Sequence, residues 1–218
     1  MIKAVVFDMD GVLVNSEPEN LRILKEFMME NEVEPSDEFL ASLIGTSYDV
    51  TCEKSAELMG KDWSMEAFRE GYEAYDLQHP YDYGKVLNPQ VKETLDWLKE
   101  HEYRIALASS SPIRLIYKML EECGLEEYFE VITSGENFDE SKPNPEIYLH
   151  TIEKLGLQPS ECMAVEDSVY GIEAALRAGM EVCAYRDYEY DIDQSAADHI
   201  VDHMLDIIKY LYIRGCDR

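Results

Sequence analysis

Short apolar runs alternate along most of the chain with longer stretches in which apolar positions recur at helical spacing. Runs that are hydrophobic on both faces are typical of strands buried in a parallel sheet. They lie at residues 2–7, 104–108, 131–133, 162–165, 181–185 and 200–201. The helical patterns between them include those that start near Val91, Ile113, Ile147 and Val169. This alternation predicts an α/β fold with a doubly wound parallel sheet.

One long segment, residues 16–83, interrupts this alternation and carries only helical patterns. Its apolar residues recur at helical spacing, as in Leu21, Leu24 and Met28 and again in Cys52, Ala56 and Met59. We therefore predict an α-helical domain inserted directly after the first strand. Residues 1–15 and 84–218 would then form the core.

Composition favours a packed globular protein with a strongly acidic surface. Hydrophobic residues make up 46% of the chain, and 46 acidic residues against 19 basic ones give a formal net charge of −27. Such a surface repels the phosphates of nucleic acids and anionic lipids, so neither is expected as a partner. It also repels a small phosphorylated substrate, so a phosphate site here needs local positive charge. A bound cation would provide that charge.

The N-terminal segment, the hydropathy of the chain and its cysteines indicate the cellular compartment. The N-terminal apolar stretch is too short for a signal peptide, and no apolar run is long enough to span a bilayer. The five cysteines are odd in number and lack zinc-ligand spacing, so reduced thiols are expected. The sequence thus predicts a soluble cytoplasmic protein and is compatible with a monomer.

Polar residues follow four successive predicted strands. They are Asp8 and Asp10 after the first, Ser109, Ser110 and Ser111 after the second, Lys142 after the third, and Glu166 and Asp167 after the fourth. Because the carboxyl ends of parallel strands meet at one edge of a sheet, these side chains are expected to share a crevice. Carboxylates so close together would repel one another, and Mg²⁺ would relieve that repulsion. With Lys142 it would stabilise charge on a transferring phosphoryl group.

Each of these features also has a purely structural interpretation. Asp10 and the glycine after it are ordinary turn chemistry, and the serines at 109–111 before Pro112 are typical of a helix N-cap. Lys142 would suit an exposed loop, and the acidic pair before Ser168 would suit the start of a capped helix. Four such signals at successive strand ends favour a functional site.

In combination, these residues resemble the haloacid dehalogenase-like superfamily, in particular its phosphatase and β-phosphoglucomutase branch. The motifs that carry the resemblance are Asp8-Met9-Asp10-Gly11-Val12-Leu13, Ser109, Ser141-Lys142-Pro143-Asn144-Pro145 and Val165-Glu166-Asp167-Ser168. The resemblance covers essentially the whole chain. It implies that the helical insert is the cap domain of that branch.

The resemblance implies a magnesium-dependent phosphatase of a small phosphorylated metabolite. Asp8 would be the nucleophile that forms an aspartyl-phosphate, and Asp10 would protonate the leaving alcohol and then activate water. Mg²⁺ would be held by Asp8, the Asp10 backbone carbonyl, Glu166 and Asp167, whereas Ser109, Ser110 and Lys142 would bind phosphoryl oxygens. Closure of the cap would exclude bulk water before chemistry.

Differences from the branch bear on the substrate. Its mutases carry a histidine where Asn20 stands and an arginine where Tyr48 stands, which disfavours a sugar mutase. In the insert, Gly45, Thr46 and Ser47 lie where substrate-specificity residues often sit, and they suit a turn equally well. The two alternatives to a phosphatase are a β-phosphoglucomutase-like phosphohexomutase and a stably phosphorylated receiver domain that acts by binding a partner.

Overall fold

The computed structural model describes residues 1–44, 46, 48–188, 190 and 192–216. Two compact units are present, one formed by Met1–Asn15 with Tyr83–Arg218 and the other by Ser16–Asp82. The second unit contains helices and no strand among its described residues. Its role as a cap remains a prediction.

The first unit is built on a six-stranded parallel sheet. Its strands are β1 (Ala4–Phe7), β2 (Arg104–Ser109), β3 (Val131–Ser134), β4 (Cys162–Glu166), β5 (Glu181–Tyr185) and β6 (His199–Val201). They lie in the order β3-β2-β1-β4-β5-β6, and each neighbouring pair is parallel. This is the doubly wound arrangement, in which the chain reverses its direction of travel between β1 and β4. The predicted fold class is confirmed.

The described residues form nine α-helices. They are α1 (Glu17–Glu30), α2 (Asp37–Ala41), α3 (Tyr48–Met59), α4 (Met65–Gln78), α5 (Val91–Glu100), α6 (Ile113–Cys123), α7 (Glu146–Leu155), α8 (Val169–Arg177) and α9 (Met204–Cys216). Helices α1 to α4 belong to the second unit and the rest to the first. Within the described part of the chain, no helix combines the length and the hydrophobicity needed to cross a bilayer.

Strand β1 is buried on both faces because it lies in the middle of the sheet. Ala4 and Val6 belong to an apolar cluster with residues of α7 and α8, such as Ile152 and Ile172. Successive side chains of a strand point to opposite faces, so Val5 and Phe7 face the other way, and both are fully buried too. Continuous burial explains why this strand reads in the sequence as an unbroken apolar run.

The second unit has an aromatic core centred on Phe27 of α1. The ring of Phe27 lies between 5.5 and 5.9 Å from the rings of Trp63, Phe68, Tyr72 and Tyr75, measured between centroids. Such tilted and edge-to-face pairs stabilise a small helical core beyond simple area burial. The unit therefore has its own hydrophobic core.

The start of α6 corrects one prediction. The serines at 109–111 do not cap this helix: Pro112 is its N-cap residue, and the backbone N–H of Ile113 donates to Glu136 at 3.0 Å. Oγ of Ser109 instead accepts a hydrogen bond from the backbone N–H of Ser111 at 3.0 Å. The reason is that proline disfavours helical geometry in the residue before it, which keeps the serines outside the helix.

Candidate active site

The register of the sheet brings the ends of three strands to one level. Phe7 of β1 pairs with Leu107 of β2 and with Val165 of β4. The next residue along β1, Asp8, donates its backbone N–H to the carbonyl of Val165 at 2.9 Å. Asp8 and Glu166 therefore stand beside each other at the carboxyl edge of the sheet, which is where open α/β sheets bind ligands.

Lys142 reaches into this edge from the segment between β3 and α7. Its ammonium lies 2.6 Å from Oδ1 of Asp8 and 2.7 Å from Oε1 of Glu166, and it also donates to the carbonyl of Ala108 at 3.1 Å. The side chain is buried, so the interpretation of Lys142 as an exposed loop charge is wrong. One ammonium thus bridges two buried carboxylates.

The carboxylate of Glu166 is enclosed by hydrogen-bond donors. Its Oε1 accepts two hydrogen bonds, one from the hydroxyl of Tyr148 at 2.5 Å and one from the ammonium of Lys142. Its Oε2 accepts a hydrogen bond from the backbone N–H of Asp167 at 3.2 Å. Gly171 leaves the room that this carboxylate needs, because a Cβ there would lie 2.0 Å from Oε1 of Glu166. These contacts fix Glu166 at the position where it binds the ammonium of Lys142.

Burial dominates the electrostatics of the cluster. It raises the pKa of Asp8 to about 8; Lys142 opposes this rise, whereas Glu166 and Asp10 reinforce it. Burial lowers the pKa of Lys142, but Asp8 and Glu166 outweigh it and hold the value well above the usual range. Burial and Glu166 also raise the pKa of Tyr148, so its hydroxyl stays protonated and can donate. The site therefore holds more negative charge than one ammonium balances.

The donor set fits a divalent cation. Asp8, Glu166 and Asp167 each offer a carboxylate oxygen, and these oxygens lie within 4.8 Å of one another. Hard oxygen donors with uncompensated negative charge are what Mg²⁺ and similar ions prefer. Gly11, at a φ of 79°, leaves space beside Asp167, because a Cβ there would lie 2.0 Å from Oδ2 of that residue.

Asp10 is partly exposed. Its Oδ2 accepts a hydrogen bond from the hydroxyl of Ser111 at 2.7 Å. Ser109 is buried at the end of β2, and Ser110 beside it is exposed. These predicted residues thus belong to the same edge of the sheet as Asp8.

The predicted specificity residues belong to the second unit. Thr46 donates its hydroxyl to the carbonyl of Leu43 at 2.7 Å and lies 3.0 Å from the hydroxyl of Thr51. This is the bonding of a turn at the end of a helical segment. Gly45 and Ser47 lie outside the described residues.

Two polar residues of the site received no role from the sequence. Tyr148 is fully buried, and its hydroxyl lies 3.3 Å from Nζ of Lys142 in addition to its bond to Glu166. A tyrosine in a buried helix turn requires a polar partner, and that requirement was the available signal. Ser111 was counted among the polar residues after the second strand and as part of a helix cap, and nothing in the local sequence links it to Asp10.

A comparison with known families settles the class of protein. Residues 5–185 match the haloacid dehalogenase-like hydrolase family. The chain belongs to this family. The match contains β1 to β5 and both groups of acidic residues, so the prediction of a haloacid dehalogenase-like phosphatase is confirmed at the level of family and enzyme class.

This haloacid dehalogenase-like hydrolase resembles phosphatases along most of its length. It is 33% identical to the phosphorylated carbohydrates phosphatase of Thermotoga maritima, over 83% of each chain. It is 31% identical to the phosphoglycolate phosphatase of Yersinia pestis, over 95% of this chain and 92% of that one. These relatives differ in the substrate that their names state.

Solved structures give the same picture of the fold. The crystal structure of a predicted phosphoglycolate phosphatase from Haemophilus somnus superposes with a TM-score of 0.82 at 27% identity, covering 96% of this chain and 98% of that one. The β-phosphoglucomutase of Clostridium difficile reaches a TM-score of 0.81 over the whole of both chains, at 23% identity. The second likeness concerns the fold alone.

Proposed function

We propose that this hydrolase is a magnesium-dependent phosphatase that cleaves a small phosphate monoester through an aspartyl-phosphate on Asp8. The observation that carries the proposal is the position of Lys142, whose buried ammonium contacts Asp8 at 2.6 Å and Glu166 at 2.7 Å. A phosphoryl group needs a nucleophile and fixed positive charge at the same place, and this pair provides both.

Each residue of the site has a separate role in the proposed reaction. The carboxylate of Asp8 attacks phosphorus, the phosphorus–oxygen bond to the leaving group breaks, and Asp10 gives that oxygen its proton. Asp10, now ionised, takes a proton from the water that attacks the aspartyl-phosphate, which releases phosphate and restores Asp8. Lys142, which is held by Asp8 and Glu166, binds the phosphoryl oxygens together with Ser109 and Ser110.

A divalent cation completes the balance of charge. Mg²⁺ bound by Asp8, the Asp10 carbonyl and Asp167 would neutralise charge on the phosphoryl oxygens. Burial disfavours the carboxylate form of Asp8, and both Lys142 and a bound cation would favour it. Glu166 already accepts hydrogen bonds on both oxygens, so it supports this arrangement chiefly through Lys142.

The substrate belongs to the small phosphorylated metabolites in this proposal. The named activities of the relatives, on phosphorylated carbohydrates and on phosphoglycolate, support that class. The net charge of −27 argues against polyanions such as nucleic acids. The helical unit, Ser16–Asp82, would act as the cap, with Thr46 and its neighbours as candidate specificity residues.

The phosphohexomutase alternative is disfavoured by two side chains of the helical unit. Oδ1 of Asn20 accepts the hydroxyl of Tyr81 at 3.2 Å, and the hydroxyl of Tyr48 donates to Glu73 at 3.3 Å. Neither residue supplies the positive charge that the mutase branch has at these positions. A receiver domain would not need a second unit of this size.

Phosphate release from a panel of monoesters, measured with and without Mg²⁺, tests the proposal. We expect turnover that requires the cation and is lost in Asp8→Asn, an isosteric change that removes the nucleophile. Asp62→Asn, on an exposed turn of the helical unit, is the matched control and should retain activity. A folded wild-type protein without turnover, or an active Asp8→Asn variant, would rule the proposal out. Isomerisation of a sugar 1-phosphate faster than phosphate release would favour the mutase.

A further inference from the structure

Ser111 and Asp10 are joined by a hydrogen bond between the ends of two neighbouring strands. Oγ of Ser111, two residues after β2, donates to Oδ2 of Asp10, three residues after β1, at a distance of 2.7 Å. The two residues are 101 positions apart in the chain. A donor at this distance from a carboxylate makes a charge-assisted hydrogen bond, which is stronger than a neutral one.

The backbone around Ser111 is held on both sides. Its N–H donates to Oγ of Ser109 at 3.0 Å, and its carbonyl accepts the hydroxyl of Ser134 at 2.8 Å. Gly135 lets the chain pack closely, because a Cβ there would lie 2.9 Å from Cα of Ser110. The hydroxyl of Ser111 therefore projects from a turn whose backbone is fixed by hydrogen bonds, not from a mobile loop tip.

We propose that Ser111 is a positioning residue that selects the oxygen of Asp10 used for proton transfer. This inference rests on the function proposed above, in which Asp10 is the general acid and base. A protonated carboxyl group accepts hydrogen bonds best through its carbonyl oxygen. Because Ser111 donates to Oδ2, that oxygen is held as the carbonyl, and the proton of Asp10 resides on Oδ1.

The proton balance of the reaction then follows. When the phosphorus–oxygen bond breaks, the leaving oxygen takes the proton from Oδ1, and Asp10 becomes a carboxylate. Ser111 stabilises that carboxylate and holds it in orientation until Oδ1 takes a proton from the attacking water. Loss of the hydroxyl leaves Asp10 able to react but removes the hydrogen bond that fixes which of its oxygens carries the proton.

Two aryl phosphates of nearly the same size distinguish this role from a structural one. The leaving group of phenyl phosphate is a weak acid that needs a proton, whereas 4-nitrophenolate leaves without one. For Ser111→Ala we expect kcat/KM to fall about tenfold with phenyl phosphate and less than about twofold with 4-nitrophenyl phosphate. Ser111→Thr, which keeps the hydroxyl, should restore most of the loss. Ser160→Ala, at an exposed position outside the site, is the matched control and should match the wild type.

A second comparison uses Asp10→Asn. In that background Ser111→Ala should cause no further loss with phenyl phosphate, because the group that it positions is gone. Equal losses with both substrates, or a full additional loss in the Asp10→Asn background, would overturn the inference. Thermal melting of each variant shows whether it is folded. A wild-type enzyme that cleaves no monoester of the panel, these two aryl phosphates included, would instead count against the proposed function itself.

Discussion

Gly11 and Asp167 approach so closely that a Cβ on Gly11 would lie 2.0 Å from Oδ2 of Asp167. Gly11 also has a φ of 79°, in the left-handed region that favours glycine. Two independent constraints, backbone conformation and space, therefore require glycine directly after Asp10. The second constraint concerns the site, because Asp167 is a candidate cation ligand.

Gly11→Ala is expected to weaken cation binding as well as stability. The added methyl group displaces the carboxylate of Asp167, so the Mg²⁺ concentration for half-maximal activity should rise about tenfold or more. Gly156→Ala is a matched control, since Gly156 has a similar φ of 64° and no atom within 4 Å of the added Cβ. Both variants should lose about 1 kcal/mol from backbone strain. Equal Mg²⁺ dependence in the two variants would contradict the role of Gly11 at the site.

Lys142→Met is expected to destabilise the fold in a way that depends on pH. Removing one partner of a buried ion pair typically costs about 3–5 kcal/mol. Without the ammonium, the pKa of Asp8 rises above its value of about 8 in the folded state, while in the unfolded chain it stays near its usual value of about 4. At about pH 7 Asp8 is mostly protonated in both folded proteins, so the additional penalty of the variant appears above about pH 8 and grows as the pH rises.

Urea unfolding of the cation-free protein at about pH 7 and about pH 9 measures this effect. Lys61→Met, at an exposed turn, controls for the loss of one positive charge and should change the stability little at either pH. A loss for Lys142→Met that does not depend on pH would show that the carboxylates are compensated in another way.

Cation binding is expected to release a proton near neutral pH. Burial raises the pKa of Asp8 to about 8 in the cation-free site, so at about pH 7 this carboxyl group is mostly protonated. A cation binds the carboxylate, so its affinity should increase from about pH 6 to about pH 8, by at most tenfold per pH unit, and level off above that.

Calorimetric titration of Mg²⁺ in two buffers with different ionisation enthalpies counts the protons released. Asp8→Asn, which has no titratable group at this position, is the reference and should release fewer. Binding to the wild type at about pH 7 with no exchange of protons would show that Asp8 is already ionised.

Salt is expected to stabilise this protein. The net charge of −27 makes the compact state repel itself, and the Debye length falls from about 30 Å at 0.01 M salt to about 10 Å at 0.1 M. Raising sodium chloride should therefore raise Tm, and a gain of about 1 kcal/mol corresponds to about 2–4 °C for a protein of this size. Near the isoelectric point of about 4.3 the same salt should have little effect. A Tm that does not respond to salt at neutral pH would contradict this expectation.

The strands were predictable because a strand that is buried on both faces appears in the sequence as a continuous apolar run. Each predicted strand agrees with an observed one to within two residues at its ends, and Glu181–Tyr185 agrees at both. The serines before Pro112 were misinterpreted because a proline after a polar cluster is equally compatible with a capped helix and with a turn that ends before the helix. Local propensity does not distinguish these two outcomes. In the structure, the carboxylate of Glu136 accepts a hydrogen bond from the backbone N–H of Ile113 in the first turn of α6, so the serines are not needed as a cap.

The sequence by itself determined the fold class, the family and the set of acidic, hydroxyl and lysine side chains at the strand ends, because hydrophobic periodicity and short motifs are local properties. Only the tertiary structure decided which of these groups touch. Lys142 bonds to Asp8 across 134 residues and Ser111 to Asp10 across 101. Such contacts depend on strand order and register, which are set by the packing of the whole sheet and which no local pattern encodes.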